Sequence, residues 1–252
     1  MKRFNGPDRM LRSDPRVADL VRTGEIRTAL FLPQYIRNFT TGELRGLGMG
    51  FVAIKITRAL AAVLGVDVVV IEHPTPIAAI ESLKSRACDV AFLGVEQSRA
   101  AEIDFSLPIV QFDYTYLVPA DSSIHNATDV DQPGVRIVVV RNHASSFALG
   151  RIVKHAELID AEIPDNAFDL LCAGDADAFA APREQLLDYS LRLSGSRVLA
   201  DSYGSNLVAM AVPKGQNKRL DYFSEFIEKA KTSGFVQRVI DCGALRGFQV
   251  AP

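Results

Sequence analysis

Short apolar runs alternate with segments of helical periodicity along most of this chain, and this alternation limits its fold more than any other feature. The runs have strand length and are rich in β-branched residues, whereas the segments between them carry apolar residues at helical spacing. Such alternation is typical of α/β proteins, so we predict an α/β fold. The predicted strands cover residues 26–31, 66–71, 90–93, 134–140, 176–180 and 206–212, and the predicted helices cover 51–64, 76–85, 145–156, 166–173, 220–231 and 236–240.

Composition and charge exclude several classes of protein. Hydrophobic residues make up 48% of the 252 residues and charged residues 23%, which is typical of a globular protein and not of a disordered chain. The formal net charge of −2 provides no basic surface for a nucleic acid. No apolar run approaches the roughly 20 residues that span a bilayer, so we expect no direct membrane insertion.

A strand that ends at a glycine and is followed by an arginine marks the first candidate binding site. The apolar run 90–93 stops at Gly94 and Val95, and Arg99 falls in the first turns of the helix expected after them. Ligands of α/β proteins bind at such strand ends, where a guanidinium can hold a carboxylate with two parallel hydrogen bonds. The alternative is an ordinary solvated arginine on a helix surface.

Other candidate ligand contacts lie in loops at predicted strand ends. Tyr35 follows the first strand, where its ring could form an aromatic wall of the site or pack on its own lobe. Hydroxyl groups at the start of the helix after strand 134–140 suit an anionic ligand, although Ser145 could simply cap that helix. The candidates in this second loop are Arg141, Asn142, Ser145 and Ser146.

Signals of catalysis and of metal binding are weak. His143 is close in sequence to Ser145 and Ser146, but the chain has no G-x-S-x-G nucleophile elbow. It also has no H-E-x-x-H motif or paired Cys/His spacing, so we expect no catalytic residue, metal or cofactor. The cysteines are odd in number, far apart and set in apolar surroundings, which predicts buried free thiols at Cys88, Cys172 and Cys242.

The residues around Arg99 belong to a longer pattern. Asp89-Val90 precedes Arg99, and Asp104-Phe105-Ser106 with Pro108 follows it. This pattern resembles the signature of the type 2 periplasmic solute-binding proteins of family 3, which serve ABC importers of amino acids. Further segments similar to that family, in the same order and spacing, are 42–46, 61–65, 116–119 and 211–215. The last two resemble the first and second crossings between the two lobes of that family.

The resemblance implies a two-lobed fold with a hinge of two strands, which lets the lobes close on a ligand. We assign residues 1–24 to an N-terminal extension, 25–117 and 207–252 to lobe 1, and 118–206 to lobe 2. The implied function is that of a monomeric receptor, which binds a small carboxylate-bearing solute and acts with the membrane permease of an ABC importer. A receptor of this kind is not an enzyme and uses no nucleic acid.

Two positions depart from the family pattern and bear on the ligand. Amino-acid binders of the family place an aspartate after the lobe 2 strand, where this chain has Pro182 followed by Arg183. The position three residues before Arg99 is commonly threonine or serine in the family, but here it is Glu96. Its carboxylate would repel an anionic ligand unless it pairs with Arg99 or Arg183 or faces away. We therefore expect a carboxylic acid other than a standard α-amino acid, or a dicarboxylate held by Arg99 and by Arg183 or Arg141. Arg183 could instead be a solvated helix residue.

The location and the class of the protein stay open at this point. The resemblance implies the periplasm, but residues 1–23 contain no apolar core of the ~7–15 residues that a signal peptide needs. Asp14-Pro15-Arg16 instead predicts a short capped helix. Either the reading frame starts downstream of the true signal, or the protein stays in the cytoplasm. The alternatives to a transport receptor are an enzyme similar to the cyclohexadienyl dehydratases, which share this scaffold, and a signal-less sensor.

Overall fold

The computed structural model describes residues 14–32, 34–38, 40–141 and 143–252, and it confirms the predicted α/β fold. The described chain divides into two compact units. Unit 1 contains the described residues up to Val110 together with Leu207–Leu245 and Val250–Pro252, and unit 2 contains Gln111–Asn206 and Arg246–Gln249. Across these described ranges, no helix has both the length and the apolar character needed to cross a membrane.

Helices and strands alternate through both units. Up to residue 100 they are α1 (Ala18–Thr23), β1 (Glu25–Phe31), β2 (Tyr35–Arg37), β3 (Leu44–Gly46), α2 (Met49–Leu64), β4 (Asp67–His73), α3 (Pro76–Lys84), β5 (Val90–Gly94) and α4 (Gln97–Ala100). From residue 101 they are β6 (Ile103–Val118), β7 (Arg136–Val140), α5 (Ala144–Leu149), β8 (Glu157–Ala161), α6 (Pro164–Ala173), β9 (Ala178–Pro182), α7 (Arg183–Ser190), β10 (Arg197–Val198), β11 (Gly204–Pro213), α8 (Asn217–Thr232), α9 (Phe235–Cys242) and β12 (Phe248–Val250).

The sheet of unit 1 has the strand order β4-β1-β5-β11. β1 runs parallel to β4 and β5, and β11 runs antiparallel to β5. Helix α2 ends as predicted at Gly65, whose positive φ of 71° lets its N–H reach the Ala61 carbonyl. The continuous β-branched run at 66–71 predicts a buried strand, but β4 lies at the edge of the sheet and is only half-buried. The buried side chains of the sheet and of α2 include Leu30, Ile56, Leu60 and Phe92.

The sheet of unit 2 has the order β6-β9-β7-β8. β7 runs parallel to β8 and β9, and β6 runs antiparallel to β9. Successive side chains of a strand face opposite sides of its sheet. β7 accordingly contributes Val138 and Val140 to one apolar cluster and Ile137 and Val139 to another, so both faces of this sheet are covered.

Helix α5 is shorter than the helix predicted at 145–156, because the backbone N–H groups of residues 154–156 bind an aspartate instead of helix carbonyls. The helix ends at Leu149. The Asp131 carboxylate accepts the backbone N–H groups of Lys154, His155 and Ala156 at 2.7 to 3.1 Å. These bonds hold the pKa of Asp131 below its usual range, and the bond from the Ala156 N–H has the largest effect. N–H groups that bind this carboxylate cannot continue a helical ladder, so the chain turns toward β8.

Two long strands carry the chain between the units. β6 passes from unit 1 into unit 2 at residues 110–111, and β11 passes back at residues 206–207. The family resemblance predicts the first crossing at residues 116–119 and the second at residues 211–215. In the structure the first of these segments lies within unit 2 and the second within unit 1.

The described part of the N-terminal extension packs as part of unit 1. The Asp14 side chain accepts the Arg16 N–H at 2.9 Å and caps a short 3-10 helix, as the sequence predicts. Val17 and Leu20 are buried, and Arg16 forms an ion pair with Glu225 on α8. Residues 1–13 lie outside the described residues.

The cysteines do not share one environment. Cys88 is buried, as predicted, whereas Cys172 and Cys242 are exposed, so the prediction is wrong for these two. Cys172 directly follows the buried Leu171 on α6, and neighbouring positions of a helix face different directions. Apolar neighbours in sequence therefore did not indicate burial on this helix.

An arginine–aspartate clamp of the same geometry holds the start of a parallel strand pair in each unit. Before β5, the Asp89 carboxylate accepts the backbone N–H, Nε and Nη2 of Arg27 at 2.8, 3.0 and 2.9 Å. Before β9, Asp177 accepts the same three groups of Arg136 at 2.8, 3.1 and 2.9 Å. Each aspartate N–H also donates to the arginine carbonyl, which fixes the register of the two strands.

A glutamate at the start of α7 has an unusual proton affinity. Gly247, with a φ of 83°, brings the segment 246–249 so close to α7 that a Cβ at this position would lie 3.2 Å from the Glu184 nitrogen. Arg246 pairs with Asp188 on the same helix at 2.8 Å. Burial, together with the charge of Asp188, raises the pKa of Glu184 to about 7.

We expect the two clamps to differ in their contribution to stability. Asp89 is only 9% exposed and also lies 3.7 Å from the buried Arg219, so Asp89→Ala leaves that cation without its counter-charge and should lower the free energy of unfolding by about 3 kcal/mol. Asp177 is 37% exposed, so water can replace its bonds, and Asp177→Ala should cost about 1 kcal/mol. Urea denaturation of both variants measures this difference, with the exposed Asp175→Ala as control. Equal losses in the two variants would contradict the burial argument.

We expect Glu184 to make stability depend on pH. The folded protein binds this proton more tightly than the unfolded chain does, so the stabilisation is complete below the unfolded pKa of about 4.5 and is lost as pH rises through 7. Glu184→Gln removes the cost of ionisation. Its free energy of unfolding should exceed that of the wild type by about 1–3 kcal/mol at pH 8 and match it at pH 4. The exposed Glu162→Gln serves as control, and a difference that is the same at both pH values would refute the assignment.

Candidate functional site

The loop after β5 brings a short helical turn to the end of the unit 1 sheet. The Val95 N–H donates to the Leu207 carbonyl at 2.8 Å, which ties the loop to β11. Glu96 takes the N-cap position of α4 with extended backbone, and its carbonyl accepts the Ala100 N–H at 2.9 Å. Gly94 at the end of β5 is buried, whereas Val95, the next residue, is exposed and accessible to a ligand.

Arg99 lies in α4, after the strand end, as the sequence predicts. Its Nη1 donates to the Gly94 carbonyl at 3.1 Å. Its Nη2 is 3.9 Å from Glu96 Oε1, an ion-pair distance that is too long for a hydrogen bond. These are its polar contacts within the described ranges, and a guanidinium has five N–H donors. Arg99 therefore keeps a free edge for a carboxylate, with a quarter of its side chain exposed.

The loop after β1 is fastened to the same strand end by Gln34. This side chain is buried, and its Nε2 donates to the Phe92 carbonyl of β5 at 3.4 Å. The Gln34 carbonyl accepts the Leu47 N–H at 2.8 Å. Gly50 packs against that carbonyl, because a Cβ at position 50 would lie 1.9 Å from its oxygen. The loop between β1 and β2 is thus held by backbone and side-chain contacts together.

The role of Gly50 in building the site was not predicted from the sequence. The available signal was the alternation of Gly46, Gly48 and Gly50 around the start of α2. A Cβ at position 46 would also lie 2.6 Å from the Gly50 backbone, so the two chain segments approach too closely for larger residues.

Tyr35 begins β2 and lies on the β4 side of the sheet. Burial, followed by the charge of Glu72 on β4, raises the pKa of the Tyr35 hydroxyl. Arg37 on the same strand forms an ion pair with Glu72. β4 and β5 flank β1 on opposite sides, so Tyr35 lies by β4 whereas Arg99 follows β5. A ligand contact by Tyr35 stays a prediction.

In unit 2, the loop after β7 places Arg141 in an exposed ion pair. Its Nε donates to Asp160 on β8 at 3.3 Å, and the two side chains are 57% and 52% exposed. The Arg141 N–H donates to the Ala161 carbonyl at 2.9 Å, so the backbone still follows the β8 register. Asn142, the next candidate, lies outside the described residues.

The two serines of this loop have different environments. His143, and not Ser145, is the N-cap of α5, so the capping role considered for Ser145 is wrong. Ser145 is buried, and its carbonyl accepts the Tyr203 hydroxyl at 3.5 Å. The Ser146 hydroxyl donates to the His143 carbonyl at 2.8 Å. A ligand contact by either serine stays a prediction.

Arg183 begins α7, and its guanidinium is almost fully engaged within unit 2. Nη1 donates to the Leu199 carbonyl at 2.7 Å, and Nη2 donates to the carbonyls of Ala200 and Asp201 at 2.9 and 3.1 Å. Nε lies 3.8 Å from Asp113. Three hydrogen bonds therefore hold the guanidinium, the Nε–Asp113 distance is too long for a fourth, and only 16% of the side chain is exposed. The alternative of a solvated helix residue is wrong, because Arg183 fastens the segment 199–201 to α7.

Metal binding has no support in the described ranges, where no group of three or more His, Cys, Asp or Glu is placed to hold an ion. The candidate site is instead a charged loop at a strand end. Its charged groups are the Arg99 guanidinium, which has a free edge, and the nearby Glu96 carboxylate.

Solved structures of amino-acid-binding proteins share this fold. A substrate-binding protein of an amino acid ABC transporter from Streptococcus pneumoniae, bound to L-arginine, has a TM-score of 0.67 and 20% identity, over 94% of this chain and 99% of that one. The L-cysteine receptor of Neisseria gonorrhoeae has a TM-score of 0.67 and 20% identity, over 92% and 94%. An ancestral amino-acid-binding protein, a precursor of cyclohexadienyl dehydratase, has a TM-score of 0.67 and 22% identity, over 90% and 97%. At these identities the likeness shows the fold alone.

The family is shown by sequence. No curated protein matches the chain. The model of the bacterial extracellular solute-binding proteins, family 3, matches residues 38–241, which include Arg99 and both crossing strands. The chain therefore belongs to the bacterial extracellular solute-binding proteins of family 3, as the pattern around Arg99 indicates.

Proposed function

We propose that the protein is the receptor of an ABC importer and that Arg99 binds the carboxylate of a small solute. The observation that carries this proposal is the guanidinium at the end of β5, which one carbonyl orients and which keeps a free edge. A planar fork of N–H groups matches the two oxygens of a carboxylate. The family supports a solute of this kind. So do two similar structures, one described as a receptor for L-cysteine and the other as an amino acid transporter protein bound to L-arginine.

Strands β6 and β11 provide the hinge of the proposed receptor, because both pass between the units. Two extended segments can bend together and let rigid units close. A ligand that binds the closed state more tightly shifts the equilibrium toward closure. Micromolar affinity corresponds to about −8 kcal/mol, and only the part of it that is gained in the closed state drives this shift.

The engaged arginines of unit 2 favour one carboxylate over two. Arg183 makes three hydrogen bonds to carbonyls of its own unit, and Arg141 pairs with Asp160. A second carboxylate of the ligand would have to displace these partners. The dicarboxylate version of the proposal therefore has less support than the version with a single carboxylate at Arg99.

The family supports a receptor over an enzyme, and the contact of the Ser146 hydroxyl does not support a serine nucleophile. A catalytic serine donates its hydroxyl hydrogen to a general base. The Ser146 hydroxyl instead donates to the main-chain carbonyl of His143. One similar structure is described as the precursor of a dehydratase, but that protein itself is described as an amino-acid-binding protein.

Replacement of Arg99 should abolish most of the affinity. A thermal-shift panel of amino, keto, aromatic and dicarboxylic acids first identifies a binding acid. Arg99→Lys and Arg99→Ala should then each weaken its binding by about 30- to 1000-fold, because an ammonium cannot form the two-bond fork. Isothermal titration calorimetry measures the change.

The matched control for these variants is Arg58→Ala, which removes an exposed arginine of α2 in the same unit and should change affinity less than about twofold. Wild-type affinity in Arg99→Ala would overturn the proposal. So would a wild type that no acid of the panel stabilises, or one that converts prephenate instead of only binding it.

A further inference from the structure

We propose that unit 1 contains a second anion site, separate from the Arg99 loop, which binds a phosphate group at the start of helix α8. The site is a cavity of about 680 Å³ between α1 and the first turn of α8. Arg219 in its wall lies 3.7 Å from Asp89, which precedes β5, whereas Arg99 follows that strand. The cavity and the Arg99 loop therefore lie at opposite ends of β5. The charged side chains that line the cavity are Arg16, Asp19, Arg22, Lys218 and Arg219.

The first turn of α8 leaves backbone donors unused. Gln216 holds the N-cap position, and no side chain caps the helix. The Gly215 N–H, just before the helix, donates to Asp104, and the Leu220 N–H donates to the Gln216 carbonyl at 2.9 Å. Between them, the N–H groups of residues 217–219 make no hydrogen bond within the described ranges. Free N–H groups at the start of a helix bind phosphate oxygens.

Two cations of the cavity, Arg22 on α1 and Lys218 on α8, are free to bind an anion. Both side chains are exposed, and neither makes a hydrogen bond or an ion pair with another described residue. The other charges of the cavity are matched, because Arg16 pairs with two carboxylates and Asp19 pairs with Arg219. Two positive charges are thus left over, which is close to the charge that a phosphate monoester carries at neutral pH with the opposite sign.

The buried arginine of the cavity shows that this end of α8 lacks negative charge. The Arg219 side chain is only 6% exposed, and its Nε is a buried donor without a hydrogen-bond partner in the described chain. A buried donor without an acceptor is costly. The helix dipole also disfavours cations at the start of a helix, and α8 has no acidic residue in its first turn. Because Arg219 lines the cavity, an anion held there can supply both the missing acceptor and the missing charge.

A phosphate group fits these donors better than a carboxylate does. A carboxylate offers two oxygens and one charge, whereas a phosphate monoester offers three free oxygens and nearly two charges. The donors are also spread over two helices, since α1 contributes Arg22 and α8 contributes Lys218 and the free N–H groups. The volume of the cavity lies in the range of small-molecule sites, so the phosphate can carry an organic group.

The experiment compares anions that differ in the phosphate group. Inorganic phosphate, glycerol 3-phosphate, glycerol and lactate are titrated at constant ionic strength, and binding is followed by calorimetry and by the shift in melting temperature. Sedimentation with phosphatidylcholine vesicles, with and without phosphatidate, tests a lipid headgroup as the source of the phosphate. The variants are Arg22→Ala, Lys218→Ala and the double variant. The matched control is Lys229→Ala, which removes an exposed lysine from the far end of the same helix.

The wild type should melt at a higher temperature with inorganic phosphate and glycerol 3-phosphate, but not with glycerol or lactate. Arg22→Ala and Lys218→Ala should each weaken phosphate binding by about 5- to 10-fold, and the double variant by more than about 20-fold. Lys229→Ala should change it by less than about twofold. Binding of glycerol 3-phosphate assigns the site to a soluble phosphate ester, whereas binding of phosphatidate vesicles alone, weakened by the same variants, assigns it to a lipid headgroup.

Arg99→Ala separates this site from the one proposed for the solute. It should bind phosphate as the wild type does, because Arg99 lies at the other end of β5. Loss of phosphate binding in Arg99→Ala, wild-type affinity in the double variant, or equal stabilisation by lactate would each overturn the phosphate site and leave the solute receptor standing. So would a wild type that binds none of the phosphates. Should an alanine variant fail to melt cooperatively, Arg22→Gln or Lys218→Gln replaces it with the same expectations.

Discussion

The bonds between Asp89 and Arg27 fix the strand on which the candidate site depends. Asp89 is buried, and its carboxylate holds both the backbone and the guanidinium of Arg27 where β1 and β5 begin side by side. Charge-assisted bonds of this number, made in a protected place, tolerate little sliding of one strand against the other. The far end of β5 then delivers Gly94 to a defined position beside β11. Asp177 and Arg136 repeat this solution in unit 2, so each sheet aligns its parallel strands by the same chemistry.

The site itself is built from the backbone outward. The carbonyl of buried Gly94 accepts a hydrogen bond that orients the Arg99 guanidinium. Close packing of Gly50 on Gln34 holds the loop between β1 and β2 in place. Neither contact depends on a long or flexible side chain. A guanidinium that is oriented before the ligand arrives loses less conformational entropy on binding, which is an advantage for a receptor.

Sequence periodicity predicted the elements whose hydrogen bonds are local or whose burial follows a simple repeat. Helix α2 with its Gly65 end, and the strands β1, β5 and β7, are of this kind. The predicted helix at 145–156 was too long, because Asp131 is distant in sequence from the N–H groups that it binds. β6 was missed because a 16-residue strand that passes through two environments has no single pattern of burial. The residue types and spacing around Arg99 placed that residue correctly, since a strand end followed by a helical turn is a local feature.

The roles of the three candidate arginines could not be told apart by residue type, and hydrogen-bond partners separate them. Arg183 satisfies its donors with the carbonyls of 199–201, which leave no mark in the sequence because every residue has a carbonyl. Arg141 is exposed and pairs with a carboxylate that is equally exposed, an arrangement that contributes little energy. Arg99 has one carbonyl and a distant carboxylate, so a partly buried guanidinium is left under-satisfied in the described chain. A partly desolvated cation without its full set of acceptors gains most from an added anion. The same physical reasoning that gives Arg183 a structural role therefore favours Arg99 as the arginine of the proposed site.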